Sequence, residues 1–283
     1  MQLSNQYPQK RAFVTGAASG FGLALCEALA RDGWTLGLAD LNEQSLAEAA
    51  ARIEDLGGHP RSFVLDVSDA AAFQQAAAVF VEQAGGVDVV INNAGIGTGG
   101  LLEETSLADW NATIAINLMG VVHGCLAFVP YLKEAGAGHV INVASIAAVA
   151  AGPYMAAYNT AKAGVLGLSE TLYSECNDAG VRVSVVMPSF FKTNIAATAR
   201  GNEAARMMTE VLIRRSKHTA AEVATYTLAE AAKGTLHIIY PRIAKRIWHW
   251  KRLLPGSYFK SMLKRARDTA RFIERINAPP PSA

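Results

Sequence analysis

The chain has 283 residues, 51% of them hydrophobic and 18% charged, with a formal net charge of +2. That ordinary globular balance is long enough to bury a substantial core in one large α/β domain or two small ones. The three cysteines, Cys26, Cys125 and Cys176, lie far apart and match neither a disulfide framework nor metal-ligand spacing, so reduced thiols in a cytoplasmic protein are expected.

In chain order, "AFVTG" (12–16) reads as a strand, "FGLALCEALARDG" (21–33) as a helix closed by Gly33, and "TLGLAD" (35–40) as a second strand. "EQSLAEAAARIEDLGG" (43–58) is a helix with Gly57 and Gly58 beyond its end, where a C′ glycine belongs. Next come the strand "SFVLDV" (62–67), a helix over about 69–84, "VDVVINNAG" (87–95) and a helix over about 107–134. "HVINVAS" (139–145), a helix over about 156–178 and "VRVSVVMP" (181–188) follow. "AAEVATYTLAEAAKG" (220–234) and "TLHIIY" (235–240) close the series.

No secretory signal is visible in "MQLSNQYPQKR", which has no apolar core. The most membrane-like stretch, "HVINVASIAAVAAGPYMAAYN", is interrupted by Asn142, Ser145 and Gly152-Pro153, so it reads as strand, loop and helix start. Continuous Val/Ile/Leu runs are strands buried on both faces. Seven of them alternating with helices imply an α/β, doubly wound parallel seven-stranded sheet, a Rossmann fold, over residues 1–240. Sites in such a sheet belong at the carboxyl ends of the strands, so chemistry-bearing motifs should follow strands.

They do. "TGAASGFG" follows the first strand and opens the first helix. Gly16 permits the tight turn, Gly20 lets the backbone approach a pyrophosphate, and Gly22 lets helix and strand pack closely, with the helix N-terminus facing the phosphates. Asp40 ends the second strand, where a carboxylate can accept from both adenosine ribose hydroxyls and would repel a 2′-phosphate. No Lys or Arg stands beside it in "LADLNEQ". NAD is therefore expected rather than NADP. Asn42 suffices to cap the following helix, which frees Asp40 for the cofactor.

With these motifs in place the chain resembles the short-chain dehydrogenase/reductase family over about residues 10–240. The family's glycine pattern falls on Thr15, Gly16, Gly20 and Gly22, its acidic-apolar pair on Asp66-Val67, and its NNAG motif on Asn92, Asn93, Ala94 and Gly95. Asn117 in "AINLMG", Ser145 in "INVAS", and Tyr158 with Lys162 in "YNTAK" match the catalytic set. The resemblance implies that Asp66 and Val67 contact the adenine, and that Ser19, Phe21 and Leu41 join the glycines and Asp40 around the dinucleotide. It implies the same for Pro188, Phe191 and Thr193 after the sixth strand, Thr193 binding the nicotinamide carboxamide. One departure is "MPSFFKTN", where Ser189 replaces the usual glycine, so the loop over the nicotinamide is expected to sit differently.

By the same resemblance Tyr158 is the general acid/base, Lys162 binds the nicotinamide ribose, Ser145 hydrogen-bonds the substrate oxygen, and Asn117 holds a water linking Lys162 to solvent. A free phenol is a poor base at neutral pH, and the ammonium of Lys162 with oxidised nicotinamide would bring Tyr158 toward working pH. No metal is needed. The expected activity is hydride transfer between NAD(H) and a secondary alcohol or ketone. The alternatives are a catalytically silent NAD-binding regulator or scaffold, and an epimerase or dehydratase on the same fold.

A lid over about 189–218 offers Phe190, Phe191, Ile195, Met207, Met208, Val211, Leu212 and Ile213. These point to an apolar substrate (sterol, acyl, retinoid-like or alicyclic) or else simply pack the lid onto the body. Residues 240–276 hold eleven Lys/Arg against two Asp/Glu, a local charge of +9, while residues 1–239 hold fifteen against twenty-two, a balance of −7. "PRIAKRIWHWKRLL" puts Ile243, Ile247, Trp250 and Leu254 on one face. "SYFKSMLKRARDTARFIERI" does the same for Phe259, Met262, Leu263, Ala266, Ala270 and Ile273. Two basic amphipathic helices over 241–276 and a disordered tail over 277–283 are expected. Docking on the acidic body or on a sister subunit of a homodimer or homotetramer ranks first for this extension, peripheral membrane contact second and nucleic acid a distant third.

Overall fold

Strands made of Val, Ile and Leu on both faces need helices on both sides of the sheet. The structure, a computed structural model that describes residues 2–193, 195 and 199–277, has that arrangement. In chain order the strands are β1 (Arg11–Thr15), β2 (Thr35–Asp40), β3 (His59–Val64), β4 (Val89–Asn92), β5 (Thr98–Gly99), β6 (Gly138–Val143), β7 (Val181–Pro188), β8 (Arg200–Gly201) and β9 (His237–Tyr240). Seven of them form one parallel sheet in the order β3-β2-β1-β4-β6-β7-β9, and the two-residue strands β5 and β8 pair with each other. The chain winds outward from β1 to β3, then returns to β4 on the opposite side of β1. The carboxyl ends of β1 and β4 therefore diverge into a crevice.

The helices are α1 (Gly20–Ala30), α2 (Glu43–Asp55), α3 (Ala70–Ala84), α4 (Leu107–Ile114), α5 (Gly120–Glu134), α6 (Ala147–Ala150), α7 (Ala156–Asn177), α8 (Glu203–Arg215), α9 (Ala220–Ala232), α10 (Arg242–Leu253) and α11 (Pro255–Asn277). On one face Leu25 of α1, Leu46 and Ile53 of α2 and Val223 of α9 build a core with Val14 and Leu36. On the other, Phe73 and Phe80 of α3, Phe128 of α5 and Val165 of α7 pack around Phe13 and Val90. Cys26, Cys125 and Cys176 are buried free thiols divided between these cores.

Four features differ from the sequence expectation. The third strand is His59–Val64, three residues earlier than "SFVLDV", because its register is set by pairing Thr35 with His59 and Asp40 with Val64. It is the sheet's edge, where Pro60 loses no ladder bond and half-exposed residues replace an apolar run. The stretch 107–134 is not one helix: a π-helical turn over Ala115–Met119 separates α4 from α5. Among the described residues this stretch, and not 139–159, is also the one long and apolar enough to cross a membrane; here it is a core helix pair packed on α3 and α7. The loop after β6 contains α6, and the lid contains α8, neither of which the apolar pattern alone announces.

The C-terminal extension is two helices, as its periodicity predicts, but their buried side is not the predicted apolar stripe. α10 buries Ala244 and rests Trp248 on the core, while Ile243, Trp250 and Leu254 remain exposed. α11 buries Tyr258 and Thr269, and leaves Phe259 and Leu263 outside. Residues 278–283, most of the expected disordered tail, lie outside the described residues.

Candidate active site

The crevice is built from the glycine turn upward. Gly16 and Gly20 have φ of 63° and 53°, a region that side chains avoid. At Gly22 a Cβ would come 2.0 Å from the Gly16 carbonyl oxygen, so only glycine lets α1 start this close to the end of β1. Ser19 is the N-cap of α1 but its hydroxyl caps nothing, leaving the first-turn N–H groups without a capping side chain. Asn93 fixes the turn from β4: its Nδ2 donates to the carbonyls of Thr15 (2.9 Å) and Gly16 (3.2 Å). The Thr15 hydroxyl in return accepts the N–H groups of Asn93 and Ala94. Asn92 turns the other way, donating to Asn142 in a buried chain that continues to Ser169, and so belongs to the core.

Asp40 stands at the end of β2 with Oδ2 accepting the Ala18 N–H at 3.0 Å and Oδ1 accepting the Asn42 N–H at 3.2 Å. The Asn42 side chain accepts from Ser45 and caps α2, so Asp40 is not needed as a cap. Its carboxylate is thereby aimed across the mouth of the glycine turn, beside exposed Leu41. Asp66 and Val67 lie past the end of β3, not within it. Asp66 accepts from the Ser68 N–H and hydroxyl, and buried Val67 offers its carbonyl to His123 Nδ1 at 2.9 Å.

The four expected catalytic residues converge at the carboxyl ends of β4 and β6. Tyr158 and Lys162 are one turn apart on α7, both buried, with the Lys162 ammonium 5.9 Å from the centre of the Tyr158 ring. Lys162 Nζ donates to the Val143 carbonyl at 2.9 Å. Burial pushes the Tyr158 phenol above its ordinary value, and a hydrogen bond with the Ser145 hydroxyl pulls it back. Burial also lowers the Lys162 ammonium to about 8. Without cofactor, then, the phenol is held protonated, because burial outweighs the Ser145 contact; the expected pull toward neutrality also includes the charge of oxidised nicotinamide. Asn117, fully buried in the π turn, has its whole carboxamide on Ile96: Nδ2 donates to the carbonyl and Oδ1 accepts the N–H, each at 2.8 Å. Its side chain is therefore committed to the loop after Gly95.

After β7 the Pro188 carbonyl accepts the Ile146 N–H at 2.9 Å, tying this loop to the Ser145 segment. Ser189 is not among the described residues with a left-handed backbone, so its replacement of glycine introduces no strain. Phe191 is buried and meets Phe21 edge-on, ring centres 5.5 Å apart, joining the loop to the glycine turn. Thr193 is half-buried, next to Lys192, whose N–H donates to the His218 carbonyl.

A family profile described as short chain dehydrogenase matches residues 10–204. The chain belongs to the short-chain dehydrogenase family. D-threitol dehydrogenase of Mycolicibacterium smegmatis is 40% identical over 190 residues, 67% of this chain and 73% of that protein. The putative oxidoreductase SadH of Mycobacterium tuberculosis is 33% identical over 259 residues, 90% of this chain and 94% of that one. A short-chain dehydrogenase/reductase from Burkholderia phymatum, solved in complex with NAD, superposes with a TM-score of 0.82 at 34% identity, covering 87% of this chain and 95% of its own.

Short-chain dehydrogenases bind a nicotinamide cofactor, and the residues here fit one. The glycine turn packed tightly on Asn93 and Ala94, the uncapped start of α1 and the Asp40 carboxylate stand together at the carboxyl ends of β1 and β2. At Gly95 a Cβ would come 2.9 Å from Asn117 Oδ1 and 3.5 Å from Lys162 Nζ, so glycine lets this loop pack closely against both.

One contact to this site was not visible in the sequence. Tyr258 of α11, 1% exposed, donates its hydroxyl to the Ala150 carbonyl at 2.5 Å, gripping the loop between Ser145 and Tyr158. Ala151 next to it has φ of 47°, and Tyr154 has 62°. The only sequence signal is a hydroxylated aromatic inside an otherwise apolar stripe, one that could not name its partner.

Proposed function

We propose that this short-chain dehydrogenase moves a hydride between NAD(H) and a secondary alcohol or ketone, with Tyr158 as general acid/base. The observation that carries the reading is the buried Tyr158 set beside Ser145 and one turn from Lys162, next to the tight glycine turn. Gly16, Gly20, Gly22 and Asp40 would hold the adenosine and pyrophosphate half, and Lys162 and Thr193 the nicotinamide half. When bound, the nicotinamide supplies or accepts the hydride. Ser145 orients the substrate oxygen and Tyr158 gives it or takes from it the proton. Lys162, held by the Val143 carbonyl, keeps a positive charge beside the phenol and so favours its anion when a base is required. Asp40, without a neighbouring cation, favours NAD over NADP.

For the substrate we favour an apolar alcohol or ketone. Phe190 and Met207 stand more than a third exposed at the lid, and the family profile stops at residue 204, within the lid and before the extension. A second reading, a small polyol, is favoured by the name of the M. smegmatis relative. We also take the working form to be a homo-oligomer, supported by exposed Leu107, Met119 and Leu126 on the α4–α5 face.

The test is Tyr158→Phe assayed with a panel of apolar secondary alcohols, ketones and polyols, with NAD(H) and NADP(H) in parallel. Turnover should fall by about 10²–10⁴-fold while NADH binding, read by fluorescence, is retained. Near-normal turnover by the variant would overturn the mechanism, and a clear preference of the wild type for threitol-like polyols would replace the apolar substrate class.

A further inference from the structure

The C-terminal extension rests on the body by one side and turns its apolar stripe to solvent. Leu253, Leu254 and Leu263 are 75%, 60% and 62% exposed, Ile243 55% and Phe259 48%. The patch gathers at the corner where α10 meets α11. It runs into an open apolar groove between Phe259, Met262 and Leu263 on α11 and Ala151 and Pro153 on the substrate-side loop. Along the two helices as far as Arg267 the charge is of one sign, and the first acidic residue is Asp268. Residues 241–267 carry nine Lys/Arg and no Asp/Glu. Among the described residues none of these nine cations is in an ion pair. The Lys251 ammonium lies 5.5 Å from the centre of the Phe259 ring, at the margin of the patch.

We propose that α10 and α11 form a surface that docks on an anionic lipid membrane. Its leucines and Phe259 enter the boundary between headgroups and acyl chains, and its lysines and arginines meet the headgroups. The partner has to be apolar in the centre and negative at the rim, and such a bilayer offers both at once. A second copy across a two-fold axis would set nine unpaired cations against nine more. Nucleic acid would satisfy the cations but offers three aliphatic leucines nothing to bury against. Through the bond from Tyr258 to the Ala150 carbonyl, a docked extension would also hold the loop between Ser145 and Tyr158 next to the lipid.

The full-length chain is co-sedimented with vesicles of phosphatidylcholine alone or mixed equally with phosphatidylglycerol, at low and high salt. Mixed vesicles should bind at least about tenfold better, with most of the gain lost at high salt. Leu253→Asn combined with Leu254→Asn and Leu263→Asn should remove about tenfold of that binding with an unchanged circular dichroism spectrum. Lys260→Gln and Lys264→Gln should each lose roughly fivefold. Equal binding to both vesicles, or none to either, overturns the proposal. So does binding to a short RNA or DNA duplex that survives the leucine changes, or an oligomer that the leucine changes dissociate while vesicles have no effect. Turnover is not the readout, so the result is independent of the proposed reaction.

Discussion

Asn117 closes its carboxamide on the backbone of Ile96, one hydrogen bond in each direction at 2.8 Å, from inside a π turn with no solvent exposure. The wide turn lets the side chain reach sideways into the loop that follows the NNAG motif. Its role as seen here is to position Gly95 and Ile96 against Lys162. Asn117→Ala would leave a buried N–H and carbonyl without partners, at about 1–3 kcal/mol of stability for each. Thermal melts should show that loss together with reduced turnover, and Asn117→Asp, which keeps an acceptor but loses the donor, should fall between.

Gly22 fixes how closely α1 can approach β1. A Cβ there meets the Gly16 carbonyl oxygen, which is backbone and cannot rotate away. Gly22→Ala should lower stability by roughly 1–3 kcal/mol and weaken NADH binding more than tenfold. Unchanged binding by fluorescence titration would separate the glycine turn from the cofactor.

The proposed preference for NAD rests on the charge of Asp40 at the end of β2. Asp40→Asn combined with Leu41→Arg removes the anion and supplies a cation at an exposed position. The ratio of kcat/KM for NADP to that for NAD should rise by about ten- to a hundredfold, as expected for about 1.4 to 3 kcal/mol. A ratio that stays put would mean the discrimination lies elsewhere.

With Tyr158 as the proposed acid/base, its raised phenol predicts opposite pH profiles for the two directions. At neutral pH it is protonated, the form that donates, so ketone reduction should be fastest near or below neutrality. Alcohol oxidation needs the anion and should climb with pH, then flatten where Lys162 loses its proton, near about 8 without cofactor. An oxidation optimum on the acid side of pH 7 would be incompatible with Tyr158 as the base.

His139 is fully buried, and its proton affinity is held down to about 3 by burial first and by the nearby Arg182 second. Ser184 spends its hydroxyl proton on the Thr235 carbonyl, so His139 Nε2 is the donor to Ser184 and Nδ1 is left bare, with no partner. The unfolded chain takes up a proton near pH 6.5 and the folded chain does not, so stability present above that pH is lost as pH falls toward 3. The slope from this one group is about 1.4 kcal/mol per pH unit. Melts of wild type and His139→Gln between pH 7 and 4.5 should diverge, the variant losing less.

Tyr258 grips the substrate-side loop from a helix a hundred residues away. Tyr258→Phe keeps the packing against Trp250 but drops the bond to Ala150. KM for the alcohol or ketone should rise several-fold, with NADH affinity unchanged; equal effects on both would point to general loosening.

By itself the sequence determined the sheet and the family, and it named the residues proposed for the cofactor edge and the catalytic set. Uninterrupted apolar strands dictate a covered parallel sheet, and the glycine turn, Asp40, Asn117, Ser145, Tyr158 and Lys162 each sit at a spacing that local geometry makes meaningful. Tertiary structure alone decided the rest. β3 took its register from β2, not from its own apolar pattern, because an edge strand has little side-chain burial to pin it. The protonation of Tyr158 depends on how much burial surrounds it, a property of the whole pocket. The face on which α10 and α11 dock was set by Ala244, Trp248 and Tyr258 finding space on the body, and periodicity cannot encode that. An amphipathic pattern states that a stripe must leave water, and only the assembled fold shows that this stripe has not yet done so.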